Sequence, residues 1–449
     1  MSLQPPVTKM SPPQDIDQYF TDIHPPLTDR QALLESARCL YCFDAPCIKA
    51  CPSDINIPSF IQQIHTDNLQ GAAQTIYSSN ILGGSCARVC PTEILCEQAC
   101  VRNKEAECAP VLIGLLQRHA TDHAEFEGHP FSRAAATGKR VAVVGAGPAG
   151  LSCAHRLAMK GHQVEIFEAS EKPGGLNEYG IARYKMTDDF AAREVEFILG
   201  IGGITLHTHK ALGRDVSLAE LQSGFDAVFL GFGLQGTRKL LLEHESAKGV
   251  EDAVDYIRVL RQASDLSQIP VPQSAVVIGA GNTAIDIACQ LRRLGCEEVT
   301  LAYRRGEESM SATGHEQQIA RDHQVRIRTW SRPEVLLLND QGELQGLQLR
   351  RTRLEAGELV DTDQAFTLPC DALFKAVGQT LVLPEPDMQE QLQIEGGKLW
   401  VDAQYRTPLD KVFAGGDCTS VGQDLTVEAV QQGKLAAESI HQLLMPVQA

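Results

Sequence analysis

The spacing of hydrophobic positions changes along the 449-residue chain. Between residues 30 and 120 they recur at helical intervals in short bursts. One burst runs from Arg30 to Leu40, one from Pro58 to His65, entered through its proline, and one from Val111 to Ala120. No strand-like alternation occurs there. Residues 121–138 are polar and contain Gly128, Pro130 and Gly138, which predicts a linker. An apolar β-branched run, Arg140–Val144, then enters Gly145-Ala146-Gly147-Pro148-Ala149-Gly150. A helix from Leu151 to Lys160 follows, and then a strand from Gln163 to Phe167 that ends at Glu168. The design returns as Ala275–Ile278, Gly279-Ala280-Gly281-Asn282-Thr283-Ala284, a helix to about Leu294 and a strand Glu298–Tyr303 ending in Arg304-Arg305. Late in the chain, Val412-Phe413-Ala414 reads as a buried strand and Thr426 to Leu444 as an amphipathic helix. The fold class expected is therefore α/β, with a helical module ahead of two Rossmann-like nucleotide-binding domains.

The two glycine loops carry the first chemistry. Glycines allow a tight turn and let the backbone approach a pyrophosphate, whose charge then sits at a helix N-terminus. A lone match is weak, and a plain turn is the ordinary alternative. The strand–loop–helix–strand context makes Gly145, Gly147, Pro148, Ala149 and Gly150 cofactor contacts, and likewise Gly279, Gly281, Asn282, Thr283 and Ala284. Glu168 at its strand end suits an unphosphorylated ribose, as in FAD or NAD. Arg304 and Arg305 at the same topological place suit a 2′-phosphate and so NADPH, with NADH or a merely solvated turn as alternatives. Different ribose chemistry implies different dinucleotides: a resident flavin and an exchangeable nicotinamide. Gly174, Gly175 and Leu176 supply a second pass of backbone beside the flavin, and Ala376 and Gly378 a later approach. Gly416 and Asp417 end a strand where a carboxylate can take a sugar-chain hydroxyl, and Thr426 opens a helix whose N-terminus favours a reduced, anionic flavin. Taken singly, Asp417 reads equally as a helix cap and Gly415-Gly416 as a turn. Because Asp417 belongs with the flavin yet follows the second loop, the nicotinamide domain is expected as an insertion. The expected domains are 1–137 (helical), 138–247 and 377–449 (FAD), and 248–376 (NAD(P)H).

Composition narrows the setting. Forty Lys and Arg against 57 Asp and Glu give a net charge of −17, which excludes non-specific nucleic-acid binding and an anionic membrane surface as partners. Hydrophobic residues at 43% suit several globular cores. Pro5, Pro6, Pro12, Pro13, Pro25 and Pro26 stand among polar residues with no apolar export segment, and no apolar run approaches the ~18 residues of a membrane helix. A cytoplasmic protein with reduced thiols is expected, so the 14 cysteines need a reason other than disulfides. Nine lie at or before Cys108, eight of them in two tight groups: Cys39, Cys42, Cys47 and Cys51, followed by Pro52, and Cys86, Cys90, followed by Pro91, with Cys96 and Cys100. Close-set thiolates with a following proline suit [4Fe–4S] clusters, with structural zinc as the alternative. A flavin hands over an electron pair that clusters can release singly, which zinc cannot do. Cys153, Cys289, Cys296, Cys370 and Cys418 are expected as buried thiols, and the absence of C-x-x-C after Cys108 argues against a dithiol reductase.

The cysteine framework, the segment Cys86-Ala-Arg-Val-Cys-Pro-Thr-Glu, GAGPAG with KPGGL, GAGNTAID and AGGDC followed by TVEAVQQGK together resemble the glutamate synthase small subunit family of FAD, iron–sulfur oxidoreductases. The likeness covers nearly the whole chain after residue 30, and the Thr426-Val-Glu-Ala-Val stretch favours the dihydropyrimidine dehydrogenase branch. The resemblance implies two [4Fe–4S] clusters, one on Cys39, Cys42, Cys47 and Cys100, the other on Cys51, Cys90, Cys96 and Gln117. Cys86 is then a non-ligand and Cys108 an extra, with Cys86 in place of Gln117 as the alternative ligand. The chain departs from the family at Ala182 and Lys185, where a proline and an arginine are usual, with Lys185 still a flavin contact. It departs again at Ser311, where some NADPH-dependent members keep a basic residue. No pyrimidine-reducing barrel remains in the sequence, and no general acid or base is nominated. The implied partner is an FMN-containing pyrimidine-reducing subunit that receives electrons from NAD(P)H through FAD and the clusters. Three readings compete: the small subunit of glutamate synthase, a zinc-stabilised interaction protein that senses nicotinamide, and a standalone ferredoxin reductase.

Overall fold

The computed structural model describes residues 16–104 and 109–446. The prolines before residue 16 and Cys108 lie outside them. The described residues divide into two compact units, one of residues 24–178, 188–235 and 381–446, the other of 16–23, 179–187 and 236–380.

The first unit opens with six helices: α1 (Asp29–Ser36), α2 (Pro46–Ala50), α3 (Ile57–His65), α4 (Leu69–Ser79), α5 (Gly83–Val89) and α6 (Ile113–His123). Their starts are written locally. Thr28 and Gln31 form a capping box on α1, while Asn56 and Asn68 accept first-turn N–H groups of α3 and α4. The apolar stripe Ile57, Phe60, Ile61 and Ile64 of α3 packs with Ile76 of α4, Leu116 of α6 and Cys51, Cys96 and Cys100. Helix α1 stops at Ser36, short of the Leu40 that periodicity suggests, and the chain turns there to deliver Cys39. Helix α6 begins two residues later than expected, at Ile113, and runs to His123, inside the stretch expected to be a linker.

The same unit holds a parallel sheet built from β1 (Arg140–Val144), β2 (Gln163–Phe167), β3 (Ile204–His207), β4 (Ala227–Leu230) and the late strand Val412–Ala414. The late strand pairs with β4, followed across the sheet by β1, β2 and β3. Helix α7 (Pro148–Met159) packs against the C-terminal helix Thr426–Leu444, with the Ser152 hydroxyl donating to the Val430 carbonyl at 2.7 Å. A Cβ on Gly433 would stand 2.0 Å from the Ala149 carbonyl oxygen, so glycine permits this close crossing.

The second unit repeats the plan, with sheet order Val250–Asp252, Ala372–Ala376, Ser274–Gly279, Glu298–Ala302 and Arg326–Arg328. Its core includes Ile16, Phe20 and the fully buried Tyr184. The sequence reading did not foresee a three-stranded antiparallel sheet of Ser331–Leu338, Leu344–Glu355 and Glu358–Pro369. In both parallel sheets the strand order reverses beside the strand that feeds the glycine loop, Arg140–Val144 in one and Ser274–Gly279 in the other. Open α/β sheets bind ligands at that switch point, outside the carboxyl ends of the strands.

Candidate functional site

In the first loop, Gly145 has φ +95°, and a Cβ there would lie 2.5 Å from the Gly231 carbonyl oxygen. Gly147 starts α7 without a side-chain cap, leaving first-turn N–H groups to a ligand. A Cβ on Gly150 would fall 1.9 Å from the Gly145 carbonyl oxygen. The second glycine pair closes on this loop: Gly174 donates its N–H to the Ala146 carbonyl at 2.8 Å, and a Cβ on Gly175 would be 2.7 Å from Gly147 Cα. Leu176 stays exposed beside them. Glu168 is buried, with Oε2 accepting the Ala146 N–H and Oε1 the Ser170 N–H, both at 2.8 Å. It thus ties the loop to the end of β2, and each oxygen keeps a lone pair for a ribose hydroxyl.

Gly416, at φ +83°, brings the Val412–Ala414 strand end onto α7, where its Cβ would meet that of Ala149 at 2.9 Å. Asp417 follows. Its carboxylate makes no hydrogen bond among the described residues, and burial, then Asp424, push its pKa up to about 6. A largely enclosed carboxylate without a donor fits a ligand hydroxyl. The C-terminal helix starts at Thr426, also without a side-chain cap. The Thr426 hydroxyl meets Asn177 Oδ1 at 3.3 Å. These groups together fit the pyrophosphate, ribose and ring edge of a flavin dinucleotide.

The second loop is built differently. A Cβ on Gly279 would lie 2.2 Å from the carbonyl oxygen of Ala376, its partner across the sheet. Gly281 begins the helix Asn282–Leu294 uncapped, with Asn282 exposed, Thr283 half-buried and Ala284 fully buried where the first loop has glycine. Gly378, at φ +99°, follows the Ala372–Ala376 strand and accepts the Arg238 N–H. Arg304 and Arg305 are exposed and, among the described residues, no carboxylate engages either guanidinium, whereas their backbone is held. The Thr352 hydroxyl donates to the Arg304 carbonyl at 2.6 Å, and the Trp330 N–H to that of Arg305 at 3.0 Å. The antiparallel sheet therefore fixes the arginine turn. Ser311 meets the Ala280 carbonyl oxygen at 3.5 Å.

Lys185 belongs to the unit of the second loop, not that of the first. Its ammonium is buried between Asp286 Oδ1 and Glu316 Oε1, both at 2.7 Å. Burial alone would lower its pKa, and the two carboxylates raise it instead. An ammonium held this way is not available to a flavin phosphate, so the sequence expectation for Lys185 is corrected.

The cysteines line two cavities. Cys39, Cys42, Cys47 and Cys100 surround one, with Ile57, Ile61 and Ile113 in its wall. Cys51, Cys86, Cys90, Cys96 and Gln117 surround the other, with Ile57 again and Val427 of the C-terminal helix. Burial, then the neighbouring thiols of Cys39 and Cys100, push Cys47 up to about 11. Cys90 is raised by its bond with Cys86 and by burial, and Cys96 chiefly by burial. Redox nucleophiles have lowered pKa values. It is the grouping of several thiols around one hollow that suits a soft metal cluster, whose iron would displace the thiol protons on binding. Gln117 is buried and its amide nitrogen donates to the Gly83 carbonyl at 2.7 Å, so its amide oxygen is the atom left to act as a ligand.

Further contributors escaped sequence reasoning. Val427 links the second cavity to the helix that tops the first loop. Glu194 accepts the Gly84 and Ser85 N–H groups at 2.9 and 3.0 Å and so anchors α5, which leads to Cys90. Cys153, Cys289, Cys296, Cys370 and Cys418 are buried thiols.

The dihydropyrimidine dehydrogenase domain II, 4Fe–4S cluster family matches residues 16–129, and the pyridine nucleotide-disulphide oxidoreductase family matches residues 139–433. The chain is 36% identical over 428 residues to the NAD-dependent dihydropyrimidine dehydrogenase subunit PreT of Escherichia coli (strain K12), covering 95% of this chain and 97% of that one. It is 33% identical over 448 residues to the glutamate synthase (NADPH) small chain of the same organism, covering 94% and 93%. Among solved structures it resembles FprA of Mycobacterium tuberculosis in complex with NADPH, with a TM-score of 0.57, 18% identity and coverage of 68% and 84%. Lactococcus lactis thioredoxin reductase gives a TM-score of 0.53, 20% identity and coverage of 69% and 100%. At these identities the two structures speak for the fold alone. No helix among the described residues is long and apolar enough to cross a membrane.

Proposed function

The chain belongs to the pyridine nucleotide-disulphide oxidoreductases and carries a 4Fe–4S domain of the dihydropyrimidine dehydrogenase kind, and from that premise we propose that it is the electron-input subunit of a dihydropyrimidine dehydrogenase. In this role it takes a hydride from NAD(P)H and passes the electrons singly to an FMN-containing partner that reduces uracil or thymine. FAD and two [4Fe–4S] clusters, when bound, supply acceptance of the electron pair and its release one electron at a time.

The chain's own residues bind and orient. Gly145, Gly147 and Gly150 with Gly174 and Gly175 admit the flavin pyrophosphate, Glu168 and Asp417 hold sugar hydroxyls, and the helix starting at Thr426 faces the ring edge. Arg304 and Arg305 hold the 2′-phosphate of NADPH. Cys39, Cys42, Cys47 and Cys100 serve one cluster; Cys51, Cys90, Cys96 and Gln117 serve the other. The observation that carries the reading is Val427, a wall of the second cavity one residue along from the Thr426 helix start. That adjacency would set the residues holding the flavin beside those holding the second cluster, with Ile57 shared by the two cavities and the exposed Leu40 and Phe43 near the first, so that the groups, when bound, would supply one-electron transfer toward that surface.

The test is isolation of the complex from its own cell under anaerobic conditions. Copurification of an FMN protein, with NADPH consumption that depends on uracil, supports the proposal. Copurification of a large glutamate-forming subunit assigns the chain to glutamate synthase. Within the complex, Gln117→Leu should remove one of two cluster signals and Cys86→Ala neither. Two intact signals in Gln117→Leu contradict the ligand assignment.

A further inference from the structure

Outside the two cysteine cavities, three metal-type donors converge on the helical module: the Asp29 carboxylate, His119 and His123. Their ligand atoms all lie within 4.8 Å of one another. Asp29 is the first residue of α1, and the two histidines stand four apart on α6, so both rings share one face of that helix.

The tautomers favour a metal. His123 Nδ1 lies 2.9 Å from the His119 carbonyl oxygen, a contact that makes Nδ1 the donor and leaves Nε2 with its lone pair. His119 is only 3% exposed, its ring hydrogen-bonds the Leu27 backbone, and its Nδ1 is buried without any hydrogen-bond partner. By elimination the Leu27 bond uses Nε2–H, so Nδ1 is also a bare lone pair. A ligating histidine characteristically donates its other N–H to a backbone carbonyl, and both rings here do so. A buried nitrogen without a partner costs stability that a metal bond would offset.

The remaining neighbour does not compete. Asp122 is held by Arg88 at 2.8 Å and by Arg118 at 3.2 Å, which leaves Asp29 as the carboxylate for the site. In a tetrahedral zinc site, bonds of about 2.0–2.1 Å put ligand atoms about 3.3 Å apart. Asp29 and His123 are exposed and have room to close by the difference.

We propose that Asp29, His119 and His123 form a binding site for a late first-row divalent cation, zinc above all, that staples α1 to α6. Imidazole and carboxylate donors suit zinc, and water completes the fourth position. The staple joins the helix that leads to Cys39 to the helix that carries Gln117, so it braces both cysteine cavities without contributing a ligand to either. This site stands whichever partner the chain serves.

The test uses the intact anaerobic holoprotein, washed with chelator, equilibrated with zinc chloride and desalted. Elemental analysis should find one zinc per chain beyond the iron. Zinc X-ray absorption should show only nitrogen and oxygen neighbours, including two imidazoles. In His123→Ala and in Asp29→Asn, both at exposed positions, zinc affinity should fall at least about tenfold, with iron and flavin content unchanged. Absence of stoichiometric zinc, a sulfur shell near about 2.3 Å, or unaltered binding in both variants overturns the proposal.

Discussion

The two glycine loops share a topology and differ in what packs behind them. In the first, a Cβ at Gly150 would stand 1.9 Å from the Gly145 carbonyl oxygen, while the matching position of the second loop is Ala284, fully buried and accommodated. The first loop is also clamped by Gly174 and Gly175 and by both oxygens of the buried Glu168. The second loop ends in two exposed guanidiniums, without a carboxylate partner among the described residues, on a backbone held by Thr352 and Trp330. A densely braced loop suits a cofactor that stays. An open loop with free charge suits one that comes and goes.

The largest expected effect is at Gly150. Gly150→Ala forces a methyl onto backbone and should abolish FAD retention, with destabilisation of roughly 3 kcal/mol or more. The reciprocal change Ala284→Gly should cost only about 1 kcal/mol and leave flavin content intact. Flavin absorbance and thermal unfolding of both variants check this, and equal losses would erase the contrast.

Next comes the arginine turn. The double variant Arg304→Ala with Arg305→Ala removes charge-assisted bonds worth about 1.5–3 kcal/mol each. Its kcat/KM for NADPH should drop about a hundredfold while that for NADH barely moves. Parallel loss with both nucleotides would show that the pair does not read the 2′-phosphate.

The smallest effect is at Asp417, where the sign depends on the ligand. Its carboxyl titrates near 6 in the flavin-free fold, above the unfolded value. Its favourable contribution is therefore complete below about pH 4 and is lost as pH rises through about 6. Flavin-free Asp417→Asn should gain on flavin-free wild type between about pH 4 and 7, by no more than about 3 kcal/mol. The same variant should bind FAD about tenfold more weakly. Denaturant melts across pH and flavin titration give the two halves; a variant that is weaker in both, or unchanged in both, contradicts the role.

Local pattern made much of this legible. The β-branched runs and glycines located both βαβ units, and apolar periodicity found the Thr426–Leu444 helix at its observed limits. Cysteine spacing singled out the thiols that line the two cavities, although the expectation of which thiols share a cavity came from resemblance. What stayed hidden depends on distant packing. The antiparallel sheet of 331–369 lies in a stretch whose buried positions, such as Leu347 and Leu349, alternate only in part because its outer faces carry charge. Lys185 reads as a phosphate ligand until Asp286 and Glu316, over a hundred residues on, are seen to enclose it. Val427 is one apolar residue among many until the fold sets it against the cysteines.

The central claim is that one polypeptide houses a hydride acceptor beside iron–sulfur centres. Anaerobic reduction of the isolated chain by NADPH, followed by EPR and by iron, sulfide and flavin analysis, tests it most directly. The account predicts about eight iron and eight sulfide atoms per flavin, flavin bleaching, and signals from reduced [4Fe–4S] clusters. Bleaching with no paramagnetic cluster, and zinc without sulfide in the cysteine cavities, would contradict it.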